Sequence, residues 1–143
     1  MIEYREFGAE ELSRVQALYE DAGWTAYLGG PDKLARAFAM SLYVLGAFQN
    51  GVLVGFVRCV GDGEHIVYVQ DLIVDRPYRR QGIGRDLLWK AREAYRHVRM
   101  FALMTDASDG NANAFYQTMK MKSCKDAELR LLLVSAAPER KSQ

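Results

Sequence analysis

Arg79, Arg80 and Arg85 bracket two glycines in the run Arg79-Arg80-Gln81-Gly82-Ile83-Gly84-Arg85, and the chemistry this spacing suits is anion binding. Gly82 and Gly84 let another molecule approach the backbone closely. A helix starting here presents N–H groups that lack intrahelical partners, at the positive end of its dipole. The arginines add side-chain charge, and the set fits a pyrophosphate best. The plain alternative is a solvated basic face; the strand, turn and helix pattern around the run favours the anion. Two common phosphate loops do not fit. No Gly-Lys-Ser/Thr is present, and Leu87 stands where a dinucleotide fingerprint needs its third glycine.

The elements that must position this loop follow from hydrophobic periodicity. His65 to Val74 is a β-branched run, apolar on much of both faces, and predicts a central strand that ends just before Pro77. Gly82 to Val98 predicts a helix, with Ile83, Leu87, Leu88, Ala91 and Tyr95 on one stripe. Upstream, Ile2 to Phe7 reads as a strand. Ala9-Glu10-Glu11 opens a helix that continues through Leu12, Val15, Leu18 and Tyr19 and stops at Gly23-Trp24. Gly23 to Asp32, with three glycines and Pro31, reads as a loop carrying Trp24 and Tyr27, and Lys33 to Leu42 as a short helix. Tyr43 to Gln49 and Val52 to Val60 form a hairpin about Asn50-Gly51. Downstream come a strand over Met100 to Thr105, a helix over Ala112 to Met119, a last strand over Glu128 to Val134, and a frayed polar tail from Ala136. The expected architecture is α/β (α+β): one mixed central sheet flanked by helices, in a single domain spanning residues 1–143.

Composition excludes several function classes. The chain has 19 Lys plus Arg against 18 Asp plus Glu, a net charge of +1, so no whole-molecule field draws it to nucleic acid or to an anionic membrane. Cys59 and Cys124 are isolated, with no CxxC, and imply neither a disulfide framework nor a metal site. No apolar run approaches the ~20 residues of a membrane span. Met1-Ile2-Glu3-Tyr4-Arg5-Glu6 is not a signal peptide, and a cytoplasmic location is expected.

Arg79-x-x-Gly82-x-Gly84, after the Leu72-Ile73-Val74 strand and Pro77, resembles the acetyl-coenzyme A signature of the GCN5-related N-acetyltransferase (GNAT) family. Asn113-Ala114-Phe115-Tyr116-Gln117 resembles that family's second motif. The resemblance implies a central strand splayed from its parallel neighbour, with the pantetheine arm of the co-substrate in the gap. Leu72, Ile73 and Val74 would bind that arm through their backbones, and a backbone N–H near Leu72 would polarise the thioester carbonyl. Arg79, Arg80, Gln81, Gly82, Ile83, Gly84 and Arg85 would hold the pyrophosphate, and Asn111 would add a contact. Tyr116 matches the tyrosine that protonates the departing thiolate; its bland alternative is an aromatic packing a helix onto the sheet.

An alkylammonium acceptor must lose a proton before it attacks, so a base is needed. Asp71 is the best-placed acid on the central strand. Strict alternation puts it on a face with Val69 and Ile73, opposite Leu72 and Val74, and a bulge would re-aim it. Glu64 and His65, at the strand entry, are the other candidates, acting through water. Two positions depart from the family pattern. Asp109 stands where an asparagine is common, and Lys120-Met121 where Gly-Phe is common, which leaves the helix stop without its usual glycine.

The Gly23 to Asp32 loop is expected to line the acceptor site, where Trp24 and Tyr27 suit an amine through cation–π attraction; Trp24 equally suits capping the first helix. The resulting expectation is an N-acetyltransferase that uses acetyl-coenzyme A and no metal, acts on a small-molecule primary amine, and assembles as a homodimer by analogy. The alternatives are a protein N-terminal or lysine acetyltransferase, a non-catalytic acyl-coenzyme A sensor, and a nucleotide-binding regulator.

Overall fold

The computed structural model describes residues 1–134. The chain divides into two compact units, Met1–Met104 and Thr105–Gln143.

In the first unit five strands, β1 (Ile2–Glu6), β2 (Tyr43–Gln49), β3 (Val52–Gly61), β4 (Ile66–Val74) and β5 (Met100–Leu103), form one sheet in chain order. The first four are antiparallel neighbours, and β4 and β5 run parallel. Asn50 and Gly51 both take positive φ, 51° and 80°, as a tight hairpin between β2 and β3 requires. Three helices complete the unit: α1 (Leu12–Ala22), α2 (Pro31–Ala39) and α3 (Ile83–Ala94). On one face Val15, Leu18 and Tyr19 of α1 and Leu34 and Phe38 of α2 close a core with Phe48, Phe56 and Ile73 of the sheet. Helix α3 buries Ile83, Leu87, Leu88 and Ala91 and lies against β2, β3 and β4.

Boundaries differ from the sequence reading for local reasons. Ala9–Glu11 is a 3-10 turn, so α1 proper begins at Leu12. Helix α2 begins at Pro31 rather than Lys33, because a proline at the first helical position has no N–H to waste and a φ already suited to the helix. Helix α3 ends at Ala94, with Tyr95 leaving helical geometry at φ −126°, although the apolar stripe continues to Val98.

The second unit holds α4 (Gly110–Thr118), two residues earlier at its start than its apolar pattern suggested. Asp109 Oδ1 accepts the Ala112 N–H at 3.0 Å and caps the helix, a signal stronger than periodicity. The expected strand over Glu128 to Val134 is not formed. Glu128 lies in a turn that Leu129 N–H closes on the Cys124 carbonyl, and Leu129, Leu131, Leu132, Leu133 and Val134 are all exposed. Strand composition is only a propensity; a strand exists when a neighbour takes its N–H and C=O groups. The polar tail from Ala136 lies outside the described residues.

Candidate functional site

The parallel ladder between β4 and β5 is short. It pairs Ile66 with Met100 and ends at Val69 with Leu103. Strand β4 runs on to Val74, paired among the described residues with β3 alone. Beyond Val69, then, Gln70 to Val74 present one backbone edge with no strand on it among the described residues, and Leu72, Ile73 and Val74 lie on this stretch. A free edge of this kind takes up an extended, amide-bearing chain as a strand would.

That edge leads directly into the basic glycine loop. Asp75 anchors the turn: its N–H donates to the Val54 carbonyl at 2.7 Å, and Oδ2 accepts Arg14 Nη2 at 2.8 Å. Arg76–Tyr78 is a 3-10 turn. Arg79 Nε donates to the Val74 carbonyl at 2.9 Å, which fixes its stem to the strand end. Arg80 and Gly82 are both left-handed, with φ of 64° and 83°. An arginine in that region carries strain of about 1–3 kcal/mol, a cost often met at ligand sites. Gly82 precedes the first residue of α3. The first intrahelical bond there runs from the Asp86 N–H to the Gly82 carbonyl at 3.0 Å, so the N–H groups of Ile83, Gly84 and Arg85 have no acceptor within the helix. Gln81, Arg79, Arg80 and Arg85 are exposed around these donors. The arrangement can hold a doubly charged anion by backbone and side chain together.

Asp71 is only 1% exposed. The β3–β4 register pairs Arg58 with Asp71 but Cys59 with Val69, so Gln70 is passed over as a bulge. Cross-strand partners share a face, and successive residues of β3 do not. Asp71 and Ile73 therefore lie with Arg58 and Phe56, toward α1 and α2, while Val69 lies with Cys59 on the other side. Strict alternation had put Asp71 and Val69 together; the bulge separates them. Asp71 Oδ2 accepts Tyr19 Oη and Arg58 Nε, each at 2.6 Å, whereas Oδ1 is buried and makes no hydrogen bond. Arg58 Nη1 also donates to Ser41 Oγ at 3.1 Å, and its guanidinium lies 5.0 Å from the Phe38 ring centre. Burial, and then the Asp71 charge, push the Tyr19 phenol well above its ordinary range.

Tyr19, Trp24 and Tyr27 form one aromatic group. Tyr19 lies 6.1 Å from Trp24 and 5.1 Å from Tyr27 between ring centres. Gln70 Nε2, on the bulge, donates to Tyr27 Oη at 3.0 Å. The bulge thus ties the expected acceptor loop to the strand that carries Asp71. Glu64 and His65 sit at an exposed turn, where Asp62 Oδ1 accepts the N–H groups of Glu64, His65 and Ile66 at 2.8–3.0 Å. They lie at the opposite end of β4 from the glycine loop.

In the second unit Tyr116 is partly buried, its ring centre 5.1 Å from that of Phe115. Burial, and then the Asp109 carboxylate, raise its phenol above the ordinary value, so it holds its proton at neutral pH. Asn111 is exposed. Asn113 Nδ2 instead ties the loop before α4, donating to the Asp106 carbonyl at 2.9 Å and that of Asp109 at 2.7 Å. Helix α4 stops without a glycine. Lys120 takes φ 62°, its N–H bonds the Gln117 carbonyl, and the Met121 N–H bonds the Tyr116 carbonyl, a complete Schellman closure.

Sequence reasoning missed Tyr19, Arg58 and Ser41. Tyr19 read as one more apolar residue at helical spacing. The usable signal was Arg58, a charge inside the apolar run Val52 to Val60, which burial obliges to find an anion. Among the described residues no three His, Cys, Asp or Glu side chains gather as a metal site would need, and no helix is long and apolar enough to cross a membrane.

Residues 6–121 match the family model described as the acetyltransferase (GNAT) family. A comparison with curated proteins finds no match. Among solved structures, a GNAT-family acetyltransferase of Streptococcus pneumoniae is similar at 30% identity, with 96% of this chain and 99% of that chain covered and a TM-score of 0.82. The PaiA N-acetyltransferase of Thermoplasma acidophilum, in complex with coenzyme A, is similar at 19% identity, covering 83% and 88%, with a TM-score of 0.66. The aminoglycoside N-acetyltransferase AAC(6')-Iy, also in complex with coenzyme A, is similar at 14% identity, covering 96% and 95%, with a TM-score of 0.72. These last two share the fold.

Proposed function

Because this chain belongs to the GNAT acetyltransferase family, whose members transfer acyl groups, we propose that it moves the acetyl group of acetyl-coenzyme A to the primary amine of a small molecule. One observation carries the co-substrate: the β4 edge from Gln70 to Val74, where Arg79 already takes the Val74 carbonyl, has no strand on it among the described residues and runs straight into helix N–H groups without intrahelical acceptors and into arginines. An extended pantetheine arm suits the edge, and a pyrophosphate suits the loop. Leu72, Ile73 and Val74 bind the arm through backbone groups. Arg79, Arg80, Gln81, Gly82, Ile83, Gly84 and Arg85 hold the phosphates, and Asn111 adds a polar contact.

The chemistry is direct attack. The acceptor ammonium gives a proton to Asp71, and its nitrogen lone pair forms a bond to the thioester carbon. A backbone N–H near Leu72 stabilises the oxyanion. The C–S bond then breaks, and the thiolate takes the Tyr116 proton. The new amide nitrogen returns its extra proton to the tyrosinate, so one proton is released overall, from Asp71.

The acceptor reading rests on Trp24 and Tyr27, grouped with Tyr19, as aromatic walls for a cation. A structural neighbour is named as an aminoglycoside N-acetyltransferase, which is consistent with that class. The reading takes residues 1–143 as one catalytic domain, located in the cytoplasm and assembled as a homodimer, the last by analogy and tested by light scattering.

Calorimetric titration with acetyl-coenzyme A, ATP and NAD tests the co-substrate; binding of acetyl-coenzyme A alone is expected, and its failure to bind refutes the reading. Tyr116→Phe tests the acid. Its turnover should fall at least tenfold with acetyl-coenzyme A affinity unchanged, and retained turnover would remove Tyr116 from the mechanism.

A further inference from the structure

We propose that Tyr19 and Arg58 are positioning residues, which grip Asp71 by Oδ2 so that Oδ1 alone is left to take the proton of the acceptor amine. The inference rests on Asp71 being the base. Three facts carry it. Both short hydrogen bonds, from Tyr19 Oη and Arg58 Nε, fall on the same carboxylate oxygen at 2.6 Å. The other oxygen is buried and makes no hydrogen bond. The gripping groups are themselves fixed: Arg58 by Ser41 and Phe38, Tyr19 by the core at 0% exposure.

A buried carboxylate oxygen with no donor is costly, so a fold would fill it unless a ligand does. If the cluster were only an ion pair, a bidentate fork using both oxygens would serve Arg58 better. Here the side chain approaches through Nε onto one oxygen and spends Nη1 on Ser41. The effect is to remove the carboxylate's freedom to rotate, as a base aimed at one nitrogen requires. The pair Arg58–Asp71 is neutral overall, so what Oδ1 lacks is a hydrogen-bond donor, and an N–H of the acceptor supplies it. In the step, an N–H bond of the alkylammonium breaks, an O–H bond forms at Oδ1, and the nitrogen keeps the electron pair that attacks the thioester. Tyr19 also stacks on Trp24 and meets Tyr27 at a tilt, so the residue that holds the base belongs to the wall proposed to meet the amine.

The test uses two small probes at high concentration, ethylamine, which is protonated at neutral pH, and hydrazine, which is much less basic. Acetyl-coenzyme A affinity is measured alongside. Asp71→Asn should slow ethylamine acetylation at least about 100-fold, the scale of a lost general base, and hydrazine far less. Tyr19→Phe should slow ethylamine about tenfold and hydrazine less than threefold, with acetyl-coenzyme A affinity unchanged. A structural role would lower both probes alike, and an equal loss or no loss in Tyr19→Phe overturns the positioning claim. Arg58→Lys, which keeps the charge but not the Nε geometry, should show the same unequal loss. If Asp71→Asn keeps its ethylamine rate, or the parent chain acetylates neither probe, the base reading fails and the inference falls with it. Retained acetyl-coenzyme A binding would show the family reading intact in that case.

Discussion

Alanine at Gly82 and at Gly84 should move stability in opposite directions while weakening the same ligand. Gly82 holds φ 83° immediately before α3. A Cβ there would come no nearer than 3.4 Å to Arg85 Nη2, the mobile end of a side chain, so space is available and the cost is conformational. Placing alanine in the left-handed region costs about 1–2 kcal/mol. For a chain of this length that lowers the melting temperature by roughly 2–8 °C. Gly84 instead lies within α3, where glycine is worse than alanine by about 0.5–1 kcal/mol, so Gly84→Ala should raise the melting temperature by roughly 1–4 °C. Both changes disturb the N–H groups proposed to hold the pyrophosphate. Losing one hydrogen bond to a charged group costs about 1.5–3 kcal/mol, or roughly 10- to 150-fold in the acetyl-coenzyme A dissociation constant. Differential scanning calorimetry reads the first pair of numbers and isothermal titration the second. An unchanged melting temperature in Gly82→Ala would refute the strain argument. Affinity within twofold of the parent in both variants would refute the anion cradle.

Lys120→Gly should stabilise the chain by about 1 kcal/mol, because Lys120 closes α4 at φ 62° where glycine carries no penalty; urea unfolding that finds no gain would contradict the strain assigned there. The Cys59 thiol, fully buried, is raised from 9.0 to about 12 by burial. With the folded value raised, its contribution is complete below pH 9 and drains away as pH climbs toward 12, at up to about 1.4 kcal/mol per unit. Between pH 8 and pH 10 the parent should therefore lose about 1 kcal/mol more than Cys59→Ala, and equal losses would remove Cys59 from the alkaline limb. Arg79→Ala should weaken coenzyme A several-fold more than a pantetheine analogue that lacks the pyrophosphate. Equal losses would make Arg79, held on the Val74 carbonyl, a structural group only.

The sequence by itself determined the parts whose physics is local. A β-branched run, a proline turn and a glycine at the head of an amphipathic stripe define strand β4, the basic loop and α3 whatever surrounds them, because steric limits on φ and the orphan N–H groups of a helix start act within a few residues. The hairpin at Asn50-Gly51 was legible for the same reason, and so was the helix-opening role of the acids near Ala9, apart from a 3-10 turn that delays α1. Tertiary structure decided everything that depends on a partner. The Glu128 to Val134 run has the composition of a strand, yet a strand needs a neighbour's hydrogen bonds, which composition does not supply. Where the β4–β5 ladder stops is a matter of pairing, and it is the stop at Val69 that leaves the edge from Gln70 onward without a strand among the described residues. The bulge at Gln70 decides which face Asp71 takes. The grip on that carboxylate joins Tyr19, Ser41, Arg58 and Asp71, residues far apart in the chain, and a periodicity scan sees only a core tyrosine and an oddly placed arginine. Electrostatics acts over ångströms in space rather than positions in sequence, so the glycine loop was readable and the hydrogen-bond partners of Asp71 were not.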